Sequence, residues 1–144
     1  MIIKRIKDKI LPNAEIKKPE AKGKHMVKGW GKRRGQEALI YTIPNYREPS
    51  KPHEKGITIY EFKKAFQKLK SSGELTREWF NKNLRGCAKE GSCNFTTIGG
   101  IFEILEFWVI PHELFEFSGV KLKNGLKIGL KVIVLGFITI IRTF

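Results

Sequence analysis

ITIYEFKKAFQKLKSSGELTREWFNKNL, residues 57–84, holds two helix starts and one helix stop, and their spacing decides the fold. Thr58 and Glu61 stand three residues apart as a capping box, in which each side chain accepts from a free backbone N–H of the first turn. Ile57 before the cap and Phe62 after it are placed to close as a hydrophobic staple. Ile59, Phe62, Ala65, Phe66 and Leu69 then share one helical face. Lys63, Lys64, Lys68 and Lys70 fall mostly outside it, where each alone reads as a solvated residue. Gly73 supplies the left-handed residue that ends a helix with little strain. Thr76 opens a second helix, with Trp79, Phe80 and Leu84 at helical spacing behind it. Two helices so close in sequence must turn sharply, as in a helix-turn-helix.

A third helix is predicted over 94–105. Asn94 is its N-cap, and Ile98, Ile101, Phe102 and Leu105 repeat at helical spacing. Gly99 and Gly100 each cost about 1 kcal/mol against Ala in a helix. They make sense only where something approaches that backbone closely, either a phosphate or groove wall or a neighbouring helix. Upstream, EALIYTI at 37–43 is β-branched and aromatic, predicts a strand and stops at Pro44. Residues 44–56, with three prolines, read as a loop.

From Gly119 the period changes to two, and Asn124-Gly125 marks a hairpin. A three-residue loop, Lys123-Asn124-Gly125, pairs Leu122 with Leu126 and Val120 with Ile128. It leaves Lys121 opposite Lys127 on the other face. Facing like charges are destabilising unless an anion sits between them. Lysine arrays also guard edge strands, which is the structural alternative.

Charge is unevenly spread through the 144 residues, whose net is +14. Residues 1–35 carry +9, 57–93 carry +4 and 120–144 carry +5, around a stretch at 94–119 of −4. Basic faces attract phosphate polyanions or anionic lipid. Residues 1–35 read as a basic, flexible arm whose first turns, Ile2 to Leu11, make a short apolar stripe ended by Pro12. Trp30 is either an anchor docking the arm or a stacking platform beside Lys32, Arg33 and Arg34. Gly29, Gly31 and Gly35 do not match a nucleotide-binding glycine pattern.

Cys87 and Cys93, in C-x5-C spacing, match no zinc knuckle, and no second pair completes four ligands. They read as structural or incidental thiols. His25, His53 and His112 fall in no triad or metal motif. No enzyme, metal or cofactor is expected. The N-terminus lacks a signal-peptide core, and the apolar run 132–141 is half the length that a spanning helix needs. A cytoplasmic protein without a transmembrane span is therefore expected.

Strand, capped helix, turn, second helix, third helix and basic hairpin, over 37–134, resemble a winged helix-turn-helix domain. The resemblance rests on this order and on TIYEFKKAFQKL and NFTTIGGIFEILE. It implies an α+β domain over 36–144, with three helices and a short hairpin, behind the basic arm. It further implies that the 94–105 helix enters the major groove by its N-terminus and that the 119–131 hairpin is the wing.

The third helix has no Lys or Arg, so guanine reading by Arg is missing there. Contacts would come from Asn94, Thr96 and Thr97, with affinity from Lys32, Arg33 and Arg34 in the arm and Lys121, Lys123 and Lys127 in the wing. The expected function is weakly sequence-specific nucleic-acid binding, DNA ahead of RNA. One alternative is a protein-interaction or structural module docking a partner or a second copy through aromatic residues 106–117. Another is a binder of RNA or anionic membrane surface. Thr97 discriminates: if it belongs to the core, the recognition helix falls and the interaction reading moves ahead.

Overall fold

The computed structural model describes residues 1–17 and 23–105. Over them the chain is an α+β domain with a four-stranded antiparallel sheet and five helices. In order these are α1 (Ile2–Lys9), β1 (Glu15–Ile16), β2 (His25–Arg33), β3 (Gln36–Ile43), β4 (His53–Thr58), α2 (Ile59–Ser72), α3 (Arg77–Asn83), α4 (Arg85–Glu90) and α5 (Cys93–Ile104). The sheet is a meander ordered β1-β2-β3-β4.

The local signals of 57–84 are met. The Thr58 hydroxyl accepts from the Glu61 N–H at 3.2 Å, while the Glu61 carboxylate accepts from the Thr58 N–H at 2.7 Å. Ile57 and Phe62 are both fully buried. Gly73 caps α2 in the left-handed region, with φ of 74°. Thr76 caps α3 by accepting from the Trp79 N–H.

The flexible arm is overturned. Residues 1–17 and 23–35 supply α1, β1 and β2, with Ile2, Ile6, Ile10, Ile16 and Val27 in the core. The apolar stripe before Pro12 is a helix, as predicted, but it packs on α2. Trp30 is the anchor: it is partly buried against the core, with the Lys7 ammonium 4.9 Å from its ring. A boundary at 35/36 would cut the hairpin joining β2 to β3. That turn is Arg34-Gly35, closed by the pair Arg33↔Gln36, with both φ values positive at 47° and 72°. Positive φ at both central positions matches the twist of a two-residue hairpin.

β2 hides its alternation behind a bulge between Val27 and Gly29. Val27 pairs with Tyr41 and Trp30 with Leu39, so two residues of the core-facing side are three apart instead of two. A bulge inserts one unpaired residue and shifts the faces. The loop assigned to 44–56 also shortens, because His53–Thr58 is an edge strand paired along β3.

α5 is the centre of the molecule. Its residues Asn94 to Phe102 are all buried, and a helix buried all round must be packed on several sides. Phe62 and Phe66 of α2 stand 6.2 and 6.0 Å from Phe102, and Phe80 of α3 stands 5.5 Å from Phe95. β1, β4 and α4 also pack on it, and Arg5 of α1 donates to the Leu105 carbonyl at 3.1 Å. A Cβ on Gly100 would lie 2.9 Å from Ile16 Cγ2 and 3.1 Å from the Lys17 carbonyl. The close neighbour that this glycine admits is the β1 strand and its continuation, not the helix, phosphate or groove wall expected from the sequence.

Candidate nucleic-acid interface

The predicted reading residues face inward. Asn94 is fully buried, as is Thr97, and Thr96 is nearly so. The N-cap of α5 is Ser92, so Asn94 lies inside the first turn. Its amide nitrogen donates to the Cys87 carbonyl at 2.9 Å, and its oxygen accepts from the Tyr41 hydroxyl at 2.7 Å. The Thr96 and Thr97 hydroxyls both donate back to the Cys93 carbonyl, at 2.9 and 3.0 Å. These side chains satisfy buried polar groups of the fold, which an unpaired interior would leave at high cost. The recognition-helix assignment therefore falls.

Arg33 and Arg34 are also withdrawn from a phosphate-binding role. Arg34 grips Glu61 with two bonds, Nε to Oε1 at 3.0 Å and Nη2 to Oε2 at 2.6 Å. It also donates to the Gly56 carbonyl at 3.0 Å and to Glu90. A guanidinium has five N–H donors, and these bonds occupy most of them. Burial opposes the charge on Arg34, but the hydrogen bonds and charge of Glu61 outweigh it and raise its pKa. Arg33 pairs with Glu54 and Glu90. Of the three arm residues only Lys32 is exposed without an ion pair among the described residues. Lys121, Lys123 and Lys127, the 106–117 aromatics and the 132–141 run lie outside the described residues.

Cys87 and Cys93 are thiols and not a disulfide. Cys87 is buried in the core, and that burial pushes its pKa well up. Cys93 Sγ lies 3.3 Å from the Tyr41 hydroxyl, whose own pKa is driven up by burial. Tyr41 therefore stays a neutral hydrogen-bonding group at the α5 N-terminus. Among the described residues no cluster of three or more His, Cys, Asp or Glu side chains could hold a metal ion. No helix among them is long and apolar enough to cross a membrane.

The structure gathers a different set of bases on the helical layer. Lys64 of α2 donates to the Asn83 carbonyl at the end of α3, at 3.1 Å. Its ammonium lies 5.5 Å from the ring centroid of Tyr60. Asn83 is flanked by Lys82 and, after Leu84, by Arg85, whose Nε donates to the Lys82 carbonyl at 3.3 Å. Exposed Lys63 lies one helical step from Tyr60 on the same α2 surface. Lys63, Lys64, Lys82, Arg85 and Lys89 form no ion pair among the described residues; Glu61 and Glu90, the acids beside them on α2 and α4, pair with Arg33 and Arg34 of the β2–β3 hairpin instead. The sequence offered one signal for this set, the Tyr60/Lys64 spacing of four on the polar side of a capped helix. Lys82 and Arg85 join it only through the packing of α3 and α4. No family model, no curated protein and no solved structure matches this chain.

Proposed function

We propose that this chain binds nucleic acid through phosphates, using the basic helical face of Lys63, Lys64, Lys82 and Arg85, with little sequence preference. One observation carries the reading: the uneven use of acidic side chains. Lys4, Lys7, Lys24, Lys28, Arg33, Arg34 and Lys51, all in the N-terminal and sheet half, are matched by carboxylates. The bases of α2, the end of α3 and α4 are left unmatched among the described residues. Positive charge held unneutralised on rigid elements concentrates polyanions at that face.

Without base-reading side chains on α5, phosphate contacts position the partner and specify little. With Thr97 in the core, the interaction alternative through 106–117, which lies outside the described residues, moves ahead of the recognition-helix form of the reading; the reading proposed here rests on the helical face instead of α5.

The test is a titration of duplex and single-stranded DNA and of RNA at two salt concentrations. Replacing Lys63, Lys64, Lys82 and Arg85 together by Gln should weaken binding to all sequences alike. The slope of log affinity on log salt should flatten by roughly 0.7–0.9 for each phosphate that the variant no longer neutralises. Unchanged binding and slope would reduce these bases to solubility.

A further inference from the structure

Tyr60 is a large aromatic side chain left in water at the heart of the basic face. It is 53% exposed, although it sits in the first turn of a helix whose other aromatics are buried or half-buried. The reason is angular. Phe62, Ala65 and Leu69 turn one side of α2 into the core, and at 100° per residue Tyr60 falls on the opposite side, with Lys64 and Gln67. The Lys64 ammonium lies 5.5 Å from the ring centroid and is itself held by the Asn83 carbonyl. Lys82 and Arg85 extend the positive surface from that carbonyl along α3 and α4.

Resting on the nucleic-acid reading above, we infer that this face takes single-stranded nucleic acid, with one base stacked on Tyr60 and its flanking phosphates on Lys64, Lys82 and Arg85. In a duplex both faces of each base are covered by neighbouring bases, so a ring on a convex helix surface has nothing to stack on. An unpaired strand offers its base faces, and aromatic rings set among cations bind them without regard to sequence. The helix expected to enter a groove, α5, is enclosed. An anionic membrane fits less well, because a helix lying in the interface needs an apolar face, and that face of α2 is spent on the core.

The experiment uses the full chain with oligothymidylate, a duplex of equal length and phosphatidylserine vesicles. Tyr60→Ala should lower affinity for the single strand by roughly fivefold to a hundredfold. Duplex affinity should hardly change, and Tyr60→Phe should bind the single strand like the wild type. The thermal transition of each variant checks folding, which an exposed site should leave intact.

Equal loss on both DNA forms, or no loss on either, overturns the stacking role. If the four-site Gln variant weakens binding while Tyr60→Ala does not, the nucleic-acid reading survives and this inference fails. If the wild type binds neither form at low salt, both fail. Binding to vesicles alone gives the surface to lipid and overturns the inference as well.

Discussion

Asn94 and Thr97 are polar side chains that the fold uses internally, and their replacement should be read as a folding defect. Asn94→Ala removes one partner each from the Tyr41 hydroxyl and the Cys87 carbonyl in a fully buried setting, while Tyr41 keeps Cys93 and the carbonyl keeps the Gly91 N–H. Two buried hydrogen bonds are lost and no group is orphaned, so urea unfolding should show a loss of roughly 1–3 kcal/mol. Thr97→Ala removes a buried methyl and a bond to the Cys93 carbonyl and should cost roughly 1–2 kcal/mol. Nucleic-acid affinity per folded molecule should stay the same in both; a selective loss of binding would return these residues to a groove. Sequence could not separate these roles. Asn and Thr favour helix starts because their short side chains bond nearby backbone, and a buried bridge to another element uses the same atoms. The capping box of α2 and the cap of α3 were legible because both partners lie within four residues.

Glu61 joins two elements through one carboxylate. It closes the α2 capping box and receives the paired donors of Arg34 from the β2–β3 turn. Thr58→Ala should cost roughly 1 kcal/mol, the value of an N-cap. Glu61→Gln should cost more, roughly 3 kcal/mol, because it leaves the Arg34 guanidinium partly buried beside a neutral amide. Equal effects in denaturant titration would show that Arg34 adds nothing to the cap.

Gly100→Ala is a second test at this scale. Helix propensity alone favours Ala by about 1 kcal/mol. The new Cβ would meet the backbone carbonyl of Lys17 at 3.1 Å, which cannot swing aside like a side-chain tip. The net should be destabilising, by roughly 1–2 kcal/mol. Helices α2 and α3 and strand β3 were legible from period and caps. β2 was not, because its bulge breaks the alternation, and α4 was not, because a six-residue helix holding and followed by glycine carries no periodic signal.

Across the whole molecule, the α+β class follows from elements with local signals, but the place of the first 35 residues depends on packing between segments far apart in the chain. The apolar stripe of α1 was visible in the sequence; that it covers α2 and reaches the end of α5 was not. Removing residues 1–35 deletes two strands and five core side chains, Ile2, Ile6, Ile10, Ile16 and Val27. The truncated chain should lose its cooperative thermal transition in calorimetry, and a sharp transition would restore the arm reading.

The enclosure of α5 also sets an order of assembly during synthesis. α1 and β1 leave the ribosome well before α5, the helix they help to cover. Until Leu105 has emerged, their apolar surfaces have no α5 to close on, and nascent chains stalled earlier should be cut readily by protease and held by chaperones. Protection should arrive in a single step once α5 is free of the exit tunnel.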